Sequence, residues 1–248
     1  MSKEKAVFHI PFHVMVSQTG KDGMLTLAGI SDFMQEAAAR HAGKLGLGFD
    51  AIRKHGQAWF LRQLRIRYLK PVKWGDELTV ETWPLPPDGL VFFRDFKVFN
   101  REEVLVAEGS SGWMLISLEN MKPVNMVPEQ FETIHFREDR VFPEPFPRIP
   151  GVKKMDKTLD VQVKYRFLDL NGHVNHVNYI RWLLDLYYLF SKRISFPSEF
   201  NIRFQQEMKE GQSGIAGGTF VKESNLYTFH IVRPGDHTEV IRASLHTG

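Results

Sequence analysis

Cysteine is absent from all 248 residues. That excludes disulfide staples, cysteine-ligated metals and a thiolate nucleophile, and leaves any chemistry to oxygen and nitrogen groups. No apolar run approaches the roughly 20 residues needed to span a bilayer, and the start of the chain, Met1 to Lys5, is short and charged. The expectation is a soluble cytoplasmic protein, not a membrane one. Charge of one sign is scarce as well: 32 basic and 29 acidic residues mix along the chain for a net +3, too weak and dispersed to point to nucleic acid. Neither a Gly-rich phosphate loop nor a Gly-x-Ser-x-Gly elbow is present, and the serines of Ser110-Ser111-Gly112-Trp113 lie in a strand-like run where they read as structural. What the chain has in quantity is apolar residues, 43% of the total, enough for a substantial core in one large domain or two small ones.

The pattern of those residues occurs twice. Phe8, Ile10, Phe12, Val14 and Val16 alternate against His9, His13 and Met15 as a half-buried strand does, and Leu159, Val161, Val163, Tyr165 and Phe167 alternate with Asp160, Gln162, Lys164 and Arg166. Each run leads through a Gly-bearing turn, Lys21-Asp22-Gly23 or Asn171-Gly172, into a helical segment spanning Leu27 to Ala42 or about His176 to Phe190. The first helix is apolar on one face through Ile30, Phe33, Met34, Ala37 and Ala38; the second is apolar nearly all round, which predicts that sheet wraps it. Ile66-Arg67-Tyr68 and Gly75 then recur 136 positions later as Ile202-Arg203-Phe204 and Gly211, and three further strand-like runs follow in both halves. Five of the chain's 13 prolines fall between Val127 and Pro150, which reads as an extended connection. The organisation predicted is α+β, with one domain over 1–126, a linker over 127–155 and a second domain over 156–248.

Chemistry concentrates in Asp169-Leu170-Asn171-Gly172-His173-Val174-Asn175-His176, the turn that feeds the apolar second helix. Turn and cap preferences account for the Asp, Asn and Gly, and Asn175 is placed to cap the helix; they do not account for His173. Helix N-termini carry unsatisfied N–H groups and partial positive charge, which suits a carbonyl oxygen that becomes negative during acyl transfer. Asn171 supplies a further donor, and Asp169, His173 and Glu207 are the candidate proton acceptors. Glu207 stands out because the aligned residue in the first half is Pro71, which has no acid–base chemistry. A metal bound by His173, His176 and Asp169 is the competing use, disfavoured because no third nitrogen ligand is suitably spaced.

Asp169-x-Asn171-x-His173-Val174-Asn175, followed by Tyr179 and Trp182, resembles the active-site motif of the acyl-ACP thioesterases of plants and bacteria. The first half is similar to them as well, through Gln35-Glu36-Ala37-Ala38, His41, Leu45-Gly46, Trp59, Trp83, Arg94-Asp95-Phe96 and Trp113. The resemblance implies a tandem double hot-dog fold, each half a long central helix wrapped by a bent antiparallel sheet. It implies an acyl chain bound by the first domain and thioester hydrolysis by the second. By motif, the family's catalytic Asp, Asn, His and Glu fall on Asp169, Asn171, His173 and Glu207. No cofactor and no metal are implied; the partner is acyl carrier protein, and a homodimer stays open. Two departures stand out: Phe167 where relatives often carry Asp, and His176 where an Asn is usual. The plastid-targeting extension of plant members is missing, which points to a bacterial-type cytoplasmic member.

A fatty acyl substrate needs a long apolar pocket, with about 0.8 kcal/mol per buried methylene available to set chain length. Met24, Leu27, Phe33, Met34, Trp59 and Phe60 are the candidate lining, although ordinary core is the first reading of each. A basic face drawn from Arg62, Arg65, Arg67, Lys70 and Lys73 would steer an acidic carrier, or be the solvated side of a strand. The alternatives are an acyl-CoA thioesterase or dehydratase of the same fold, and a non-catalytic acyl-chain binding module.

Overall fold

The structure, a computed structural model, describes residues 7–132, 134–152, 154–191 and 197–247. Met1 to Lys5, the short charged start, lies outside them. The chain forms two compact units, one running to Pro145 without Arg65–Tyr68 and the other from Phe146 together with Arg65–Tyr68. The first holds β1 (Phe8–His13), α1 (Leu27–Lys44), α2 (Phe49–Lys54), β2 (Gln57–Tyr68) apart from its last four residues, β3 (Glu77–Asp88), β4 (Val91–Asn100), β5 (Leu105–Ser117), the short β6 (Pro123–Val124) and α3 (Pro128–Phe131). Its strands run in the order β1-β3-β4-β5-β2, with β6 on β5. The second holds β7 (Lys157–Gln162), α4 (His176–Ser191), β8 (Pro197–Phe204), β9 (Ser213–Val221), β10 (Leu226–Arg233) and β11 (Thr238–Thr247), ordered β8-β11-β10-β9-β7. All four pairings of this second set are antiparallel.

The helices form where the sequence periodicity places them, and each packs its apolar side on the sheet of its own unit. On α1 the residues Leu27, Ile30, Phe33, Met34, Ala37, Ala38 and His41 are buried, and the Phe33 ring lies 4.6 Å from Phe12 of β1. Burying each large side chain of that stripe stabilises the unit by about 1.5–3 kcal/mol. Thr26 starts the helix by accepting the Gly29 N–H at 3.0 Å, and Gly46, at φ +73°, turns the chain away after its end. On α4 the residues Val177, Tyr179, Ile180, Trp182, Leu183, Leu186 and Tyr187 are buried, but Tyr188 and Leu189 are exposed. Sheet therefore covers this helix on most sides and leaves one edge in solvent, short of the all-round wrapping its composition suggested.

A second difference concerns the opening strand of the second unit. Alternation predicts extended chain through Phe167, whereas β7 ends at Gln162 and Tyr165–Phe167 forms a 3-10 turn. Tyr165 is 81% exposed, so it never joins a buried face. Phe167 instead packs edge-on to Trp182 at 5.3 Å, and its carbonyl accepts the Asn175 N–H at 2.9 Å. The chain has to bend there so that Leu168 can pair with Val174 across the turn that follows.

That turn is built twice on the same hydrogen bonds. Gly20 N–H reaches Met24 O, Gly23 N–H reaches Gly20 O, Leu25 N–H reaches Val72 O and Thr26 N–H reaches Gln18 O. In the second unit Asp169, Gly172, Val174 and Asn175 donate to His173, Asp169, Met208 and Phe167 in the same four places. Both turns need a residue in the left-handed region, met by Gly23 at φ +75° and Gly172 at φ +77°. The first copy is the tighter, because a Cβ on Gly29 would come 2.7 Å from Gln18 O and 2.6 Å from a Leu25 methyl. Gly→Ala inside a helix ordinarily stabilises by up to about 1 kcal/mol. Gly29→Ala is expected to do the reverse and lower the melting temperature by several degrees, measured by thermal denaturation.

Candidate active site

The polar residues singled out in the sequence do not all have the same job in the turn. Asp169 is a turn-former: its Oδ1 accepts the N–H groups of Asn171 at 2.8 Å and His173 at 3.2 Å. Asn175 is the helix cap, accepting the Val177 N–H at 3.0 Å. Asn178, one turn into α4, donates its amide to Phe167 O at 3.0 Å and so ties the helix back to the bend that precedes the turn. Asn171 is half-buried beside Gly172, its backbone held by Asp169.

The loop after β8 closes on this turn and brings in the fourth residue. Met208 carries both links: its C=O accepts from Val174 at 2.9 Å, and its N–H donates to the Tyr179 hydroxyl at 3.0 Å. His173 and Lys209 pair directly beyond it. Glu207, one residue before Met208, is thereby placed with Oε2 3.1 Å from Nδ1 of His173. The two side chains are 31% and 15% exposed, so the pair is accessible from solvent without being bathed in it.

Burial dominates the electrostatics of that pair. It pushes the Glu207 carboxyl up to about 7, with the negative charge of Asp169 adding to the rise and Lys209 opposing it. Burial also lowers the His173 imidazole from its ordinary value, with Asp169 working against that and Lys209 with it. Above neutrality the pair is a neutral imidazole and a carboxylate. In the Nδ1–H tautomer of that state the ring hydrogen faces Glu207 Oε2, 3.1 Å away, and Nε2 keeps its lone pair, which is the arrangement a base requires. His176 is different: burial holds it at about 3, its ring lies edge-on to Phe204 at 5.9 Å, and it does not change charge near neutral pH. One histidine is directed to Glu207 and the other lies against Phe204, so the two do not converge, and among the described residues no cluster of three His, Asp or Glu side chains is arranged to hold an ion.

The family model described as acyl-ACP thioesterase N-terminal domain matches residues 5–134, and the corresponding C-terminal domain model matches 152–240. The chain belongs to the acyl-ACP thioesterase family. A chloroplastic palmitoyl-acyl carrier protein thioesterase of Gossypium hirsutum is 25% identical over 95% of this chain, which spans 62% of that relative's length. An acyl-ACP thioesterase of Bacteroides thetaiotaomicron superposes with a TM-score of 0.86 at 22% identity over 99% of both chains. The 12:0-ACP thioesterase of Umbellularia californica superposes at 0.85 with 18% identity over 97% of this chain and 96% of its own. The tandem hot-dog architecture is thus the family's fold.

Within this member of the family the first unit repeats the backbone of the turn but none of its chemistry. Gly20, Asp22 and Met24 stand at the places of Asp169, Asn171 and His173; Pro71 stands at that of Glu207, and Ile30 at that of Tyr179. Of the proposed lining residues, Leu27, Phe33 and Met34 are buried on α1, and Met24 is half-buried where it pairs with Lys73. Trp59 and Phe60 are half-buried on β2, and Trp59 packs against a cluster of Leu47, Ile52, Phe92, Leu115 and Met126, where its indole N–H donates to Leu47 O at 3.0 Å.

The basic face does not survive as drawn. Arg65, 6% exposed, makes two bonds of 3.1 Å to the Glu199 carboxylate, and Arg67 lies 3.5 Å from the same group. Those two guanidinium groups hold the structure together instead of facing a partner; Lys70 and Lys73 alone among the five are fully at the surface. Nothing in the sequence signals the Tyr179–Met208 bond, which depends on where the Glu207 loop closes.

Proposed function

We propose that this chain hydrolyses fatty acyl thioesters carried on acyl carrier protein, releasing free fatty acid, with His173 and Glu207 as the base. The observation that carries the proposal is the 3.1 Å His173–Glu207 contact at the start of α4, in a chain of this family. Nε2 of His173 takes a proton from water as its oxygen attacks the thioester carbonyl, and Glu207 stabilises the imidazolium that results. The positive end of α4 and the amide of Asn171 face the oxyanion that develops. Collapse breaks the C–S bond, and the imidazolium returns its proton to the departing thiolate. Asp169 keeps the turn in shape and adds negative charge beside the pair. All of these groups lie in one unit.

In the same proposal the first domain, 1–126, holds the acyl chain among Met24, Leu27, Phe33, Met34, Trp59 and Phe60, and the domain 156–248 beyond the linker performs the chemistry. The reaction takes place in the cytoplasm, away from any membrane, where acyl-ACP is made. Purified protein should release fatty acid from an acyl-ACP series of graded chain length, with a preferred length. Its kcat/KM should rise with pH through one ionisation near 7 and level off above it, because the carboxyl raised to about 7 has to be ionised before His173 acts as a base. Faster turnover of the same acyl group on CoA would reassign the carrier. Tight acyl-chain binding without turnover at any length would leave a binding module.

Tyr179 tests how the loop is held. Tyr179→Phe keeps the ring but leaves the buried Met208 N–H without its acceptor, a cost of about 1–3 kcal/mol. We expect kcat to fall about 10-fold with KM nearly unchanged, and the pH midpoint to move as Glu207 loses its fixed place. Steady-state kinetics across pH check this.

A further inference from the structure

The surface around the Asp169–His173 turn has a composition that the turn itself does not need. Leu170, between Asp169 and Asn171, is 79% exposed, and Tyr165 in the preceding 3-10 turn is 81% exposed. Lys164, Arg166 and Lys209 stand exposed around them. Backbone bonds bring two of these cations together: Gly211 N–H donates to Val163 O at 3.1 Å and Val163 N–H to Gln212 O at 2.9 Å, which sets Lys164 beside the 209–211 loop that carries Lys209. Lys209 in turn pairs with His173. The Arg166 guanidinium lies 4.6 Å over the Phe167 ring, an attachment that fixes the group without neutralising it. Of the carboxylates in the segments 164–173 and 209–211, Glu210 is exposed, while half-buried Asp169 turns Oδ1 inward to two N–H groups.

Large exposed apolar side chains flanked by cations are characteristic of an interaction surface. The first unit offers an internal comparison, since the same backbone turn there carries Met15 and Ser17 at the places of Lys164 and Arg166. The two cations of the 3-10 turn thus accompany the site and not the fold. We propose that the rim formed by Lys164, Arg166, Lys209, Leu170 and Tyr165 is the docking surface for an acidic carrier protein. Its carboxylates meet the three cations and its apolar side chains meet Leu170 and Tyr165, while the thioester on its flexible arm passes the rim to reach His173 and Glu207. This inference rests on the hydrolase reading above and says where the carrier binds.

The test compares one acyl group on acyl carrier protein and on free pantetheine, in wild type and in the double variant Lys164→Glu/Arg166→Glu, with Lys164→Ala/Arg166→Ala as the milder pair. The charge reversal should lower kcat/KM on the carrier-linked substrate at least about 10-fold at low salt, with the deficit shrinking as ionic strength rises. The pantetheine thioester should be hydrolysed at the wild-type rate, which also reports that the variant is folded. Equal losses on both substrates, or none on the carrier-linked one, would overturn the proposal. Trp74→Ala, in the matching loop of the first unit, should leave carrier affinity unchanged, and a loss there would move the docking surface and overturn this one. If wild type turns over neither substrate, the hydrolase reading fails separately. Calorimetry with the pantetheine-bearing carrier then decides the rim: wild-type binding that the reversal weakens supports it, and unaltered or absent binding ends it.

Discussion

Glu207→Gln should abolish most of the hydrolysis and make the protein more stable above neutral pH. Glutamine keeps the size of the side chain but cannot accept Nδ1–H as a carboxylate does or stabilise an imidazolium, and loss of the equivalent carboxylate in Ser-His-Asp sites costs about 10⁴ in kcat. A fall of at least about 10³ in kcat, with KM little changed, is the expected result on acyl-ACP. The stability effect follows from the raised carboxyl. Its folded-state value, about 7, lies above the ordinary 4.5, so ionising it is harder in the folded chain. That penalty is absent below about pH 4.5, grows as pH rises and is complete above about 7. Denaturant unfolding at pH 8 should show the glutamine variant more stable by roughly 1–3 kcal/mol, with the gap closing toward pH 5. Full activity in Glu207→Gln would remove this residue from the site.

His173→Ala is expected to lower kcat by about 10²–10⁴, the range for losing a positioned general base. What identifies its role is the combination with Glu207. If His173 carries the proton and Glu207 acts through it, the double variant His173→Ala/Glu207→Gln should be hardly slower than the worse of the two single variants. Multiplying losses would mean that each residue handles a proton separately. The ionisation near 7 should also vanish from the pH profile of His173→Ala, leaving a flat, slow rate over the neutral range. Single-turnover kinetics with acyl-ACP measure both without interference from product release.

Much of the architecture is visible in the sequence because the chain states it twice. The recurrence of Ile66-Arg67-Tyr68 as Ile202-Arg203-Phe204, and the helices at matching places, depend on local period and spacing, which a single chain displays. Glu207 was found the same way, by its contrast with Pro71. What escaped depends on closure between distant segments. Arg65 looks like one charge in a solvated run until Glu199, 134 residues away, is seen to accept it. The Tyr179 hydroxyl looks like part of an apolar helix until the Glu207 loop, 29 residues on, places an N–H against it. Phe167 escaped for a local reason: alternation continues for five residues past the last paired strand position, Gln162, and nothing in a period of two marks where hydrogen bonding stops.

Joining the two copies in a single polypeptide has a consequence for how they can change. When two identical chains associate, any substitution appears on both sides of the axis, so a proline that suits one side is imposed on the other. A covalent tandem lifts that symmetry. Pro71 and Glu207, or Ile30 and Tyr179, occupy corresponding places yet are encoded separately, so each half can drift toward its own task while the backbone hydrogen bonds they share keep both turns in the same shape.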